Sequence, residues 1–205
     1  MFFCYTLKGH VEKIMPILSS KDPCVDRIIS ENDLLRNADL LGAGTFCMTF
    51  AGKKSTRVFK LTADKTHHAY LTDGAFVGSL FKPRVYNDFG VIGKTAYGVD
   101  VFLLEVERLK DLVPGSNHEK LVSSLIDFEN DNGRLPESKR DAPALDPGLF
   151  VFMRSLNKFV NMQSSARFDL CECNFMQRKN GRLIFNDPVC DSSLWEGYSW
   201  SSGSS

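Results

Sequence analysis

The sequence has no excess charge of either sign. Among its 205 residues, 25 lysines and arginines balance 25 aspartates and glutamates. A neutral chain has no global attraction for nucleic acid or for an anionic membrane. No apolar run reaches the roughly eighteen residues that span a bilayer. The first ten residues, MFFCYTLKGH, hold only a brief apolar stretch with no basic region before it, which argues against a signal peptide. There are no internal repeats. Low complexity is confined to residues 199–205, a serine-rich stretch expected to fray. The six cysteines, Cys4, Cys24, Cys47, Cys171, Cys173 and Cys190, include no C-x-x-C pair. Cys171 and Cys173 with Cys190 form the only cluster. Zinc there would need a fourth ligand, and no histidine is close in sequence. Reduced thiols in a cytosolic protein are the expectation.

What is present suits one compact domain, or one domain built as two lobes. The apolar fraction is 43% and there are sixteen phenylalanines, enough for a packed core. Helices are expected at Val11–Leu18 and Val25–Asn37, the second starting after Pro23 with Ile28, Ile29, Leu34 and Leu35 at helical spacing. Strands are expected at Leu40–Phe50 and Arg57–Leu61 around a turn at 52–55, and again at Val85–Ile92 and Tyr97–Val106. A helix interrupted near Gly74 is expected over Asp64–Leu80. The first half therefore reads as a small, mostly antiparallel sheet with one helix on it. The second half reads as a helix at Asn117–Phe128, a long loop at Glu129–Pro147 and a helix with one buried face. Leu149, Phe152, Met153, Leu156, Phe159 and Val160 mark that face. Two short strands follow, Phe175–Gln177 and Leu183–Asn186, around the hairpin turn signal Asn180-Gly181.

Three groups of residues carry candidate chemistry. The first is the run Leu41, Gly42, Ala43, Gly44, Thr45 and Phe46. Glycines let a strand-turn-strand approach a phosphate closely, so that backbone N–H groups face the anion. Alone this signal is weak, since two glycines also make an ordinary turn. The second is Lys60, on the strand after that hairpin, where it can reach nucleotide phosphates. A solvated strand lysine is the alternative, although Val58 and Lys60 share a face opposite Phe59 and Leu61. The third is the ordered set Asp169, Asn174 and Asp187. Phosphoryl transfer needs a cation with hard oxygen ligands, such as Asn and Asp side chains. It also needs a carboxylate that orients the attacking hydroxyl and accepts its proton. Asp169 fits the base; Asn174, five residues on, and Asp187, thirteen further, fit the metal ligands. The hairpin between Asn174 and Asp187 would bring the two ligands together. A cap or turn role is the alternative for any one of them.

Taken together, these residues resemble the protein-kinase signature of glycine loop, strand lysine, catalytic loop and metal-binding Asp. The chain is more similar still to the small early Ser/Thr protein kinases of lytic bacteriophages of the autographivirus type. The match runs through Leu41–Phe46, Arg57-Val58-Phe59-Lys60, Phe168-Asp169-Leu170, Asn174-Phe175-Met176 and Asp187-Pro188-Val189. It spans roughly Asp39 to Ser193 and is sparse between Pro83 and Leu145. The resemblance implies an α+β, bilobal protein-kinase-like fold with a small antiparallel N-lobe sheet and a truncated, mainly helical C-lobe. Residues 1–38 would be a helical extension packed on the N-lobe, 39–107 the N-lobe, and 108–205 the C-lobe. It implies ATP with magnesium or manganese, and Asp169 as the base. Asn174 and Asp187 would hold the metal. Lys60 and the backbone of Gly42, Ala43, Gly44, Thr45 and Phe46 would hold the phosphates. Glu105, Val106 and Glu107 would form the hinge that binds adenine. It also implies Ser/Thr phosphorylation of host bacterial proteins in the host cytoplasm, and of the enzyme itself, with transcription, RNA processing or defence affected.

The departures from that pattern define the rival readings. Cys47 replaces the third glycine. The helix after Lys60 has no glutamate, leaving Asp73 as the only acid considered for Lys60. Cys171 stands where such kinases usually carry a lysine, so a positive charge must come from Arg154, Arg167 or elsewhere. Losing such stabilisation costs on the order of a hundredfold in rate. Eighteen residues follow Asp187, so a minimal C-lobe without a long activation segment is expected. The substrate groove would then come from Glu129–Pro147 or the N-terminal helices. Ser192 and Ser193 are candidate self-phosphorylation sites. The alternatives are a pseudokinase module that inhibits a host protein by binding it, and a small-molecule phosphotransferase.

Overall fold

The computed structural model describes residues 18–19, 21–76, 79–142 and 145–194. The helix expected at Val11–Leu18 lies outside them, apart from its last residue. Among the described residues the chain is an α+β protein with four α-helices and a five-stranded antiparallel sheet. Two compact units divide it. The first holds residues up to His68, then Arg84–Arg108 and the stretch from Ser193 onward; the second holds Ala69–Pro83 and Leu109–Ser192.

The first unit is the sheet with a helix on one face. Its strands are β1 (Leu40–Ala43), β2 (Cys47–Ala51), β3 (Arg57–Thr62), β4 (Val85–Lys94) and β5 (Asp100–Glu107), in the order β1-β2-β3-β5-β4. Met48 pairs with Leu61, and Leu61 with Leu103; Phe50 pairs with Phe59. Directly paired residues point to the same side of a sheet, so these apolar residues make one continuous face. Helix α1 (Pro23–Glu31) covers it through Val25, which is fully buried. Asp22 caps the helix, accepting from the N–H groups of Cys24 at 2.8 Å and Val25 at 3.4 Å, while Pro23 starts the first turn. Its second carboxylate oxygen accepts from the N–H of Ala96 at 3.1 Å, tying the helix start to the β4–β5 turn. Gly93 allows the close approach: a Cβ there would meet Ile28 Cδ1 at 2.6 Å.

Helix α1 ends six residues before the expected Asn37. Asn32 takes an extended backbone, and its side chain accepts the N–H of Leu34 at 2.9 Å. That local bond competes with another helical turn, while Leu34 and Leu35 still pack on the core.

The second unit contains α3 (Asn117–Asn132) and α4 (Pro147–Met162) with short strands, the first of them β6 (Lys110–Asp111). Its centre is aromatic. Phe76 meets Tyr70, Phe152 and Phe159, and Phe185 meets Phe152 and Phe175, with ring centroids 4.8–5.7 Å apart. The buried Tyr70 hydroxyl donates to the carbonyl of Phe185 at 2.7 Å. Tyr70 lies on α2 (Lys65–Thr72), the helix within which the chain passes from the first unit to the second. The loop expected from Glu129 to Pro147 starts four residues later, at Gly133, because α3 runs to Asn132 and closes on Gly133, whose φ is +65°. The loop is held from two sides. Asp141 accepts from Arg134 and from the N–H groups of Glu137 and Ser138. Buried Asn157 on α4 exchanges hydrogen bonds with both backbone groups of Leu135.

Candidate functional site

Within the second unit, backbone pairing gathers Asp169, Asn174 and Asp187. Strand β7 (Ala166–Phe168) pairs antiparallel with β10 (Val189–Asp191), setting Phe168 opposite Val189. Asp169 therefore leaves one strand where Asp187 and Pro188 enter the other. The N–H of Asp169 donates to the carbonyl of Pro188 at 2.9 Å. Strand β8 (Phe175–Gln177) pairs with β9 (Leu183–Phe185) across the Asn180-Gly181 turn, where Gly181 has φ +81°. That hairpin returns the chain so that the N–H groups of Asn186 and Asp187 both donate to the carbonyl of Asn174, at 2.9 and 3.2 Å. The loop closes through a side chain: Asn174 Nδ2 donates to the Asp169 carbonyl at 2.7 Å. This bond turns the amide so that its oxygen, Oδ1, is the group left to accept. Asp169, Asn174 and Asp187 are all partly exposed.

Lys60 belongs to the first unit and lies on the sheet face away from α1. Thr49 and Leu104 are its cross-strand neighbours, and Val58, Thr62, Leu104 and Val106 share its face. Lys60 is only 4% exposed, which removes the solvated-lysine alternative. Burial lowers its pKa, and the charges of Cys47 and Asp64 push the other way. Asp64 was not among the residues singled out from sequence. It is buried at the start of α2, where one carboxylate oxygen accepts from the N–H groups of Thr66 and His67 at 2.8 and 2.9 Å. The signal was available: residues 60, 62 and 64 share strand parity, and an Asp just before a helix is a usual cap. Helix α2 also places His67 near Lys60. Burial first, and then the Lys60 charge, hold that imidazole well below its ordinary pKa, so it is neutral. Asp73 has other company, since it accepts the N–H of Ala75 at 2.7 Å and its charge acts on Lys82. Lys82 in turn caps the end of α2, donating to the carbonyls of Leu71 at 2.7 Å and Tyr70 at 3.3 Å.

The glycine run forms the β1–β2 hairpin. Gly42 is in β1 opposite Thr49, and the N–H of Gly44 donates to the carbonyl of Cys47 at 2.7 Å. Neither glycine has a positive φ, and a Cβ would meet nothing within 4 Å at Gly42 and only Cys47 O at 3.9 Å at Gly44. Folding alone therefore does not require glycine at either position. Phe46 anchors the hairpin: its carbonyl accepts from Ala63 N–H at 2.9 Å, and its ring packs on the core.

Glu105, Val106 and Glu107 are in the interior strand β5, paired with β3 on one side and β4 on the other. The N–H of Glu107 donates to Arg84 O at 2.8 Å, and the Glu105 carboxylate accepts from Arg57 at 3.0 Å. Backbone groups expected to meet adenine are thus engaged in the sheet, because β5 continues to Glu107 before the chain leaves it.

Other sequence candidates fall as follows. The Arg167 guanidinium donates to the carbonyls of Ser164 and Ala166 at 3.2 and 2.7 Å, beside its own strand. Arg154 is exposed on α4. Both the N–H and the hydroxyl of Ser192 donate to Ser165 O, at 2.8 and 3.0 Å. Cys24, Cys47 and Cys190 carry reduced thiols, as expected, whereas Cys171 and Cys173 are joined in a disulfide. Among the described residues no group of three His, Cys, Asp or Glu side chains is disposed to hold a metal ion, so no zinc cluster forms around Cys190. The oxygens of Asn174 and Asp187 are a different kind of donor set: two hard ligands on adjacent backbone, which suits a magnesium ion that keeps water and phosphate for its other positions.

The fold and site thus define an α+β protein with a hydrogen-bonded Asp-Asn-Asp arrangement and, in its other unit, a buried strand lysine. No protein-family model matches the chain, and no curated protein matches it. No helix among the described residues is long and apolar enough to cross a membrane.

Proposed function

We propose that this protein is an ATP-dependent phosphotransferase of the protein-kinase kind, which phosphorylates Ser or Thr hydroxyls of other proteins. The observation that carries the reading is the closure of Asp169, Asn174 and Asp187 by four hydrogen bonds: Asp169 N–H to Pro188, Asn174 Nδ2 to Asp169, and Asn186 and Asp187 N–H to Asn174. Four such bonds, between residues five to nineteen positions apart, converge only if the loop has a fixed shape, and the three side chains are those the chemistry needs.

In this reading the Asp169 carboxylate orients the acceptor hydroxyl and takes its proton, a role contributing roughly 10²–10⁴-fold in rate. Asn174 Oδ1 and the Asp187 carboxylate would hold magnesium, which when bound offsets the charge of the phosphates. The buried Lys60 would pair with phosphate oxygens, and Asp64 is the carboxylate that steadies its charge. The open space at Gly42 and Gly44 supports close approach of the hairpin backbone to an anion. A bilobal protein-kinase-like fold belongs to the same proposal. So do host bacterial proteins as the substrates, a class that rests on the resemblance of the sequence to phage kinases.

The test is transfer of labelled γ-phosphate from Mg-ATP to a bacterial lysate and to the protein itself, comparing wild type with Asp169→Asn. Labelled protein bands that vanish in the variant support the reading. Labelling of small molecules alone points to a metabolite kinase, and none by either protein points to a binding module.

A further inference from the structure

The four residues between the candidate base and the first metal ligand include two cysteines, and these are bonded to each other. Cys171 and Cys173 form a disulfide across Glu172, with Cα atoms 5.4 Å apart. The spacing arises from the backbone. Cys171 is extended, with φ −128° and ψ 158°, and residues 172–174 then make one tight turn closed by the Asn174 N–H on the Cys171 carbonyl at 2.9 Å. The bond lies within reach of the metal-ligand candidate: Cys173 Sγ is 3.8 Å from Asn174 Oδ1. Cys173 is exposed and Cys171 partly so, whereas Cys190 is buried. A small thiol or disulfide therefore has access to this pair.

We propose that Cys171 and Cys173 are a reversible thiol–disulfide site that controls cation binding at Asn174. The control, though not the disulfide itself, rests on the phosphotransferase reading. Oxidation needs a small-molecule disulfide such as glutathione disulfide. One cysteine sulfur attacks it, forming a mixed disulfide and releasing one thiol; the second cysteine sulfur then displaces the other thiol. Two protein thiols and one reagent disulfide become one protein disulfide and two reagent thiols. Two electrons pass to the reagent, and the two thiol protons leave with its sulfurs. The direction of control follows from the contact with Oδ1. A Cys173 thiol has a proton to donate to that oxygen and competes with a cation for it. A disulfide sulfur has none, and the ring also limits the loop to fewer shapes. The oxidised protein is therefore the better cation binder.

The test uses the full chain held in glutathione disulfide or in dithiothreitol, with free thiols then alkylated. Trypsin releases Phe168–Arg178, which contains both cysteines and no other. The oxidised sample should give this peptide unalkylated and two hydrogens lighter; the reduced sample should give it with two alkyl groups. Manganese(II) binding, followed by electron paramagnetic resonance, should be roughly tenfold tighter in the oxidised sample, the size expected when a group next to a metal ligand changes. A Cys171→Ser, Cys173→Ser double variant should bind the cation equally under both conditions. A doubly alkylated peptide in glutathione disulfide overturns the proposal, as does equal manganese affinity in the two wild-type states. Absence of manganese binding in both states, with the disulfide formed, overturns the control together with the phosphotransferase reading and leaves the disulfide standing.

Discussion

The two units hold their candidate groups in opposite ways. Lys60 is inside a five-stranded ladder, with paired strands on both sides and a buried apolar face behind it. Asp169, Asn174 and Asp187 are at the ends of strands three residues long, joined by a handful of backbone and amide hydrogen bonds. The first arrangement spreads the positioning of one side chain over a whole core, so local damage becomes loss of the fold. The second concentrates it in a loop, where one bond can fail while the unit survives.

The sharpest way to break this comparison is in the sheet. Leu61→Ala empties a fully buried position behind Lys60 and should cost about 3 kcal/mol of unfolding free energy, within the range for buried leucines. Denaturant unfolding would show it as a lower midpoint; a change under 1 kcal/mol would mean the core does not fix the strand. A smaller effect is expected in the loop. Asn174→Ala removes the bond to the Asp169 carbonyl and should cost about 1 kcal/mol. Its cost in function should be larger, roughly 10–100-fold in the magnesium dependence of phosphotransfer. Equal losses of stability in the two variants would erase the distinction between units.

The smallest effect concerns the ordered segment before α4. Bonds from Arg134 and from backbone N–H groups lower the Asp141 pKa to about 2. A lowered carboxyl pKa contributes stability that is fully present above the ordinary carboxylate range and is lost as pH falls through the folded value. The stability gap between wild type and Asp141→Asn should therefore be constant above about pH 4 and close toward pH 2. A gap independent of pH would remove the charge from the account of this loop.

The same contrast decides what was legible in the sequence. Strand alternation placed Lys60 on the face opposite Phe59 and Leu61, and the sheet follows that reading because a period of two survives in any buried ladder. The buried helix at Leu149–Val160 was readable for the same reason, from its period of 3.6. The spacing of Asp169, Asn174 and Asp187 marked them as a set, and the Asn180-Gly181 turn explained how the chain returns. Pairing of β7 with β10 was not legible, because strands of three residues carry no period. Asp64 was missed because a helix-capping aspartate looks alike whether or not a lysine is near it. The strand expected to end at Val106 runs one residue further, to Glu107, because composition does not mark where a strand ends. The disulfide was missed because Cys-x-Cys does not reveal the tight turn that joins the sulfurs.

The measurement that tests the central claim most directly is γ-phosphate transfer from Mg-ATP to protein, in wild type and Asp169→Asn, with circular dichroism showing both folded. The account predicts labelled Ser or Thr in the wild-type reaction and a loss of at least roughly a hundredfold in the variant, as removal of a general base requires. Equal labelling by both proteins would contradict it, since the hydrogen-bonded loop would then be present without Asp169 serving as the base.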